Sequence, residues 1–137
     1  MLIRKKYLNQ LIDGKDLNLI KVITGVRRCG KSTLLLQYKD YLISQNIPDE
    51  DIIYMNFESA KWYDIKDYKD LYNYIKKNVK NQNKKYILLD EVQNVEKWEK
   101  AVNSLLVDIN SDIYITGSNA YLLSSDLTTL LAGRVLT

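Results

Sequence analysis

The sequence predicts an α/β fold, and three features predict it: short apolar β-branched runs, turn residues bounding each run, and longer segments of helical spacing between them. The runs are Leu19 to Thr24, Ile52 to Asn56, Tyr86 to Leu89 and Ile113 to Thr116, each close to the ~5 residues of a buried strand. Apolar runs of this kind, alternating with helices, are the pattern of a mostly parallel sheet covered on both faces.

Each intervening segment reads as a helix. The first is expected to open at Lys31 and to face the sheet with Leu34, Leu35, Tyr38, Leu42 and Ile43, ending before Pro48. The second covers Asp64 to Asn81 and carries Tyr68, Leu71, Tyr72 and Ile75 at helical spacing. The third covers Val95 to Ile109, with Trp98, Val102, Leu105 and Leu106 on one face. These aromatic side chains read as core rather than as a stacking platform for bases. Asn81 to Lys85 reads as an exposed polar turn, and Met1 to Lys6 lead into a polar helical pattern. Arg134-Val135-Leu136-Thr137 resemble the opening of a fifth strand, truncated at the C-terminus, so the chain reads as a fragment of a longer protein.

With 137 residues, 46% of them hydrophobic, the chain is expected to fold as a single unit over residues 1–137. Its 20 basic and 17 acidic residues are scattered, and the net charge of +3 forms no basic block of the kind that tracks a nucleic-acid backbone. One cysteine makes no internal disulfide, and the absence of histidine removes the commonest zinc ligand, so a bound metal is expected to have oxygen ligands. No apolar run approaches the ~20 residues of a membrane span, nor does the N-terminus carry a signal-peptide pattern. The expectation is a cytoplasmic protein with no membrane contact.

The chemistry concentrates in two places. Gly25-Val26-Arg27-Arg28-Cys29-Gly30-Lys31-Ser32 follows one predicted strand and opens the first helix, which is the setting a phosphate-binding loop requires. Glycines at 25 and 30 permit the turn, and the amides of about Arg28 to Ser32 can converge on a phosphate at the positive end of the helix. Lys31 is expected to reach the β- and γ-phosphates and the Ser32 hydroxyl to ligate Mg2+. The nucleotide-contacting set is Gly25, Arg28, Cys29, Gly30, Lys31, Ser32 and Thr33. Cys29 reads as a small filler side chain. Arg27 and Arg28 either add charge near a triphosphate or face solvent or a partner subunit. ATP is preferred to GTP because no Asn-Lys-x-Asp segment of guanine-specific proteins occurs.

The second place is Tyr86-Ile87-Leu88-Leu89-Asp90-Glu91, an apolar strand ending in two carboxylates. Ligands of open α/β folds bind at the C-terminal edge of the strands, where Asp90 would hold Mg2+ through a water and Glu91 would orient the water attacking the γ-phosphate. The second carboxylate favours hydrolysis over phosphoryl transfer to a metabolite. Ile115-Thr116-Gly117-Ser118-Asn119 ends the fourth run at the same edge. There one of these small polar groups contacts the γ-phosphate or the attacking water, or else Ser118 or Asn119 caps the helix that starts near Ala120.

With these residues assembled, the chain resembles an AAA-type P-loop ATPase of the widespread prokaryotic family with a Gly-x-Arg-Arg-x-Gly-Lys-Ser/Thr loop and a Leu-Asp-Glu-x-Gln-x-x-x-x-Trp segment. Gly25 to Ser32 match the first, and Leu89 to Gln93 with Trp98 match the second. The resemblance implies a three-layer sandwich of strand order 5-1-4-3-2. It gives Ser118 the position of the polar sensor and Arg134 that of the arginine finger completing a neighbouring subunit's site. Asn56 resembles the residue that in many relatives restrains the catalytic glutamate until a partner binds, although an asparagine there also serves simply to satisfy backbone groups. Family members continue into a helical lid and a C-terminal domain, neither of which these residues include.

Two functional classes follow. One is an Mg2+-dependent ATPase that couples hydrolysis to a conformational change in a partner, a second copy or its own C-terminal domain, with Lys31, Glu91, Ser118 and Arg134 as the catalytic set. The other is a non-hydrolysing regulatory or DNA-binding module. The DNA reading draws on the pI near 8.8 and on Lys76, Lys77, Lys80, Lys84 and Lys85, lysines that otherwise form a solvated face.

Overall fold

The structure, a computed structural model, describes residues 2–16, 20–23, 31–117 and 133–136, with the backbone alone for 2–7, 31–32 and 133–136. In chain order the elements are α1 (Leu2–Asp13), β1 (Ile20–Ile23), α2 (Lys31–Ser44), β2 (Ile52–Asn56), α3 (Tyr68–Lys77), β3 (Lys85–Asp90), α4 (Trp98–Asp108), β4 (Ser111–Thr116) and β5 (Gly133–Leu136). The strands form one sheet of order β2-β3-β4-β1-β5, and every pairing is parallel. The α/β class and the parallel sheet expected from the sequence are what the chain adopts.

Because successive side chains of a strand point to opposite faces, each strand feeds two cores. On one face Ile87 and Leu89 of β3, Ile113 and Ile115 of β4 and Ile20 and Val22 of β1 pack with Leu71 and Ile75 of α3 and with Trp98, Val102 and Leu105 of α4. On the other, Tyr86, Leu88, Tyr114 and Ile23 pack with Leu34, Leu35, Tyr38 and Leu42 of α2 and Leu11 of α1. Trp98 is fully buried, so its role is packing, as the sequence suggested. Ile43, expected on the sheet-facing side of α2, is 45% exposed. At ~100° per residue Ile43 is rotated off the stripe of Leu35, Tyr38 and Leu42, which stays buried through the last turn of the helix.

The helix boundaries are set by capping rather than by the apolar pattern. Asp67 and Asp70 form a reciprocal capping box that starts α3 at Tyr68, four residues later than expected at Asp64, and Asn78 ends it at Lys77 rather than Asn81. Before that start the chain makes a short 3-10 turn, Ala60–Trp62. The polar pattern at the N-terminus becomes α1, which meets the sheet closely: a Cβ on Gly14 would lie 3.2 Å from both the Lys21 Cγ and the Tyr114 hydroxyl. No described helix is long and apolar enough to cross a membrane.

The starts of the strands carry buried charge. Lys21 on β1 and Asp112 on β4 form an ion pair with no exposure to solvent. Asp112 also accepts from the Asp16 amide at 2.8 Å, and the Lys21 ammonium lies 4.9 Å from the Tyr114 ring centre. Burial pushes the Lys21 ammonium down and the Asp112 carboxyl up, each toward neutrality, while their mutual hydrogen bond opposes both. Lys85 corrects the expectation of an exposed turn. It opens β3 buried, bonded to Asp51 at 2.8 Å, Asn81 at 2.5 Å and the Asn83 carbonyl at 2.9 Å. Lys84 in turn pairs with Asp16 at 3.1 Å. Neither lysine therefore belongs to a simple solvated or nucleic-acid-facing stripe.

Two outcomes test this edge. Lys21→Met, which strands a buried carboxylate, is expected to cost about 3–5 kcal/mol of unfolding free energy, and Lys21→Met with Asp112→Leu to recover most of it. Urea titration measures both. Asp16 gives a pH dependence. Burial alone would raise its carboxyl, but hydrogen bonds from Lys15, Tyr86 and Lys84 outweigh that and lower it from 3.8 to about 2. A carboxyl lowered in the folded state stabilises above its unfolded value and loses that contribution as pH falls through the folded one. Thermal melts are therefore expected to weaken between pH 3.8 and about 2, with a shallower slope in Asp16→Asn.

Candidate functional site

The opposite edge, where the strands end, carries the sequence-predicted carboxylates. Register aligns Asn56 of β2 with Asp90 of β3, and Thr116 of β4 with Ile23 of β1. Leu89 pairs with Ile115, so Asp90 and Thr116 are the next residues along their strands. The edge therefore reads Asn56, Asp90, Thr116, Ile23. The chain leaves β1 after Ile23 and re-enters as α2 at Lys31, which brackets the predicted phosphate loop between the end of β1 and the start of a helix.

Asp90 has no exposure to solvent, and a buried carboxylate demands partners. It has one on each side. The Tyr54 hydroxyl of β2 donates to Oδ2 at 3.1 Å and the Thr116 hydroxyl of β4 donates to Oδ1 at 2.5 Å. Thr116 also accepts the Glu91 amide at 3.0 Å, so one hydroxyl ties both residues of the acidic pair to the neighbouring strand. The Asp90 carbonyl accepts from the Phe57 amide at 3.0 Å, which binds the loop after β2 to the same point. Tyr54 and Thr116 were not among the predicted site residues. The signal that could have found them is the strand register, which sets Thr116 level with Asp90 and Tyr54 two residues earlier on the same face, opposite Leu88.

Glu91 departs from the strand. Its backbone is left-handed, with φ 56° and ψ 51°, and it caps a 3-10 turn, Val92–Asn94, whose valine is buried. A non-glycine residue in this region carries strain of order 1 kcal/mol, and such residues cluster at functional sites. The turn moves the Glu91 carboxylate off the axis of β3 and leaves it partly exposed, where Oε1 accepts from Gln93 Nε2 at 3.3 Å. Asn56 Oδ1 accepts from the Glu58 amide at 3.0 Å, the backbone-satisfying arrangement.

Of the remaining predicted residues, Lys31 and Ser32 form the first turn of α2 and Thr33 follows them, exposed. Arg134 lies on β5, beside Lys21 of β1 in register. The side chains of Lys31, Ser32 and Arg134, and all of Gly25, Arg28, Cys29, Gly30 and Ser118, lie outside the described residues.

A parallel α/β sheet with a helix opening beyond the end of an inner strand, and paired carboxylates one strand away, defines an α/β domain of the P-loop type. The family model described as an AAA domain matches residues 17–137. The chain belongs to that family, and what it forms is an AAA-type P-loop ATPase core. An uncharacterized protein of Haemophilus influenzae is 54% identical over 135 residues, which is 98% of this chain and 34% of that protein. An uncharacterized protein of Methanocaldococcus jannaschii is 39% identical over 132 residues, 96% of this chain and 28% of that protein. The chain thus spans about a third of the length of the curated relatives it matches.

The clasp on Asp90 generates a stability prediction. Thr116→Val removes the donor to a buried carboxylate and the acceptor for the Glu91 amide while keeping the side-chain shape. It is expected to destabilise the fold by about 1–3 kcal/mol, read by chemical denaturation. Tyr54→Phe, which removes one donor from the same carboxylate, is expected to cost less.

Proposed function

We propose that this domain binds ATP with Mg2+ at the strand-end edge and hydrolyses it. The observation that carries the reading is Asp90, a buried carboxylate whose two oxygens are fixed from both neighbouring strands, one strand removed from the gap that the Gly25 to Ser32 segment spans. Among the described residues each Asp90 oxygen accepts one hydrogen bond and keeps lone-pair capacity, and oxygen is the donor a hard divalent cation requires, so the residues present fit Mg2+. Asp90, through a water, and the Ser32 hydroxyl would hold it. Neutralisation of charge on the β- and γ-phosphates is what Mg2+ supplies when bound.

The chain's own groups perform the rest. Backbone amides from Gly25 through Thr33, including those of Arg28, Cys29 and Gly30, cradle the phosphates at the start of α2, and the Lys31 ammonium pairs with the β- and γ-phosphates. Glu91, turned off the strand axis, orients the attacking water and accepts its proton. Ser118 senses the γ-phosphate, and Arg134 from a neighbouring copy stabilises charge on the transferred phosphoryl group. Turnover is coupled to a conformational change in the remainder of the protein or in a partner.

Titration calorimetry and steady-state turnover on the full-length protein test this. Lys31→Ala is expected to abolish measurable MgATP binding. Glu91→Gln is expected to keep binding and to lower turnover by about 100-fold or more. Undiminished turnover in Glu91→Gln would remove Glu91 as the base, whereas a wild type that binds MgATP without turning it over would make the domain a nucleotide-dependent switch.

A further inference from the structure

Gln93 has a hydrogen-bonding pattern that packing does not explain. Its amide nitrogen donates to Glu91 Oε1 at 3.3 Å, and its amide oxygen is buried with no hydrogen-bond partner among the described residues. The orientation is dictated chemically. An ionised carboxylate only accepts, so the NH2 end must face Glu91, and rotating the amide would set two acceptors against each other. The side chain therefore keeps its contact with Glu91 while its other end goes unsatisfied. Buried polar groups seldom tolerate that outside sites where a second demand is met.

The backbone leaves Gln93 in a fixed place. Val92 and Val95 are buried in the core shared with α3 and α4, and the Val95 amide closes the turn on the Val92 carbonyl at 3.0 Å. Between these anchors Gln93 is partly exposed, two residues beyond Glu91 and on the same tight turn. Glu91 itself is fixed at its amide by Thr116, and among the described residues it is the Gln93 amide that holds its carboxylate. Asn56, which the family resemblance suggested for contact with the glutamate, accepts the Glu58 amide at its Oδ1 and makes no bond to Glu91 among the described residues.

We propose that Gln93 is a positioning residue for hydrolysis. It holds one oxygen of the Glu91 carboxylate so that the other faces the attacking water. This rests on the reading of Glu91 as the base. The 3.3 Å separation suits a bond that tightens once nucleotide and water are in place, as hydrogen bonds at catalytic groups commonly do.

Gln93→Met in the full-length protein is the discriminating change, because it keeps length and volume, removes the donor, and also removes the unsatisfied buried oxygen. Folding is thus not expected to suffer, and the melting temperature should stay level or rise. Turnover is expected to fall about 10- to 100-fold, the scale of a misplaced catalytic group, with KM for ATP within about twofold of wild type. Gln93→Glu, which removes the donor and sets a like charge against Glu91, should also slow turnover, but with a lowered melting temperature. In a Glu91→Gln background, Gln93→Met should produce no further loss, since the two act as one unit. Wild-type kcat in Gln93→Met, or a raised KM at unchanged kcat, overturns the proposal while a slow Glu91→Gln leaves the ATPase reading standing. A fast Glu91→Gln overturns both.

Discussion

The arrangement depends on one buried carboxylate. Asp90 sits buried at the end of an inner strand, where an unpartnered carboxylate oxygen would be costly. Tyr54 answers from one side and Thr116 from the other. That requirement reaches across three strands. A register slip of one residue in β2 or β4 would turn the tyrosine or threonine to the opposite face of the sheet and leave an oxygen orphaned. Pairing of the strands and assembly of the site are therefore the same event, and the hydroxyls that satisfy the charge also specify the alignment.

The two edges of the sheet use charge differently. At the strand starts Lys21 with Asp112, and Lys85 with Asp51, are closed pairs. They join β1 to β4 and β3 to the segment leading into β2. Such pairs add little net stability relative to apolar residues of the same size, because desolvation consumes most of the attraction. What they do impose is a penalty on every alternative pairing that would separate them. Asp16, held by Lys15, Lys84 and Tyr86, gathers the end of α1 into the same edge. At the strand ends, by contrast, the carboxylates are held by neutral donors, which fix their geometry without cancelling their charge. The MgATP site proposed for this edge would use that difference.

The strands were legible in the sequence because their apolar runs are uninterrupted, and the parallel class followed from the helices between them. The strand starts were not legible. Lys85 and Ser111 extend β3 and β4 beyond the apolar runs, and a charged or hydroxyl residue next to a turn reads as surface until its partner is known. Asp51 lies far from Lys85 in sequence, so no local pattern announces that pair. Helix ends were misjudged for a related reason. The apolar spacing of α3 begins near Asp64, but the Asp67–Asp70 box satisfies the free amides and fixes the start. At the candidate site the acidic pair was legible from its position after an apolar strand. Its supports were not, because Tyr54, Thr116 and Gln93 acquire their roles only from register and from the turn at Glu91.

That turn separates the tasks of two adjacent carboxylates. Consecutive residues of an undisturbed strand point to opposite faces, so an extended Glu91 would have entered one of the two cores or the far side of the sheet. The left-handed backbone at Glu91 breaks the alternation immediately after Asp90. Asp90 stays within the strand, enclosed and held from both flanks. Glu91 emerges partly exposed, fixed at its amide by Thr116 and, among the described residues, at its carboxylate by the neutral Gln93 amide, so the water-activating role proposed above falls to it rather than to Asp90. The strain at Glu91 is thus the physical cause of the difference between the two acids, and the Thr116 hydroxyl, bonded to both, keeps that difference in register with the strand beside the phosphate loop.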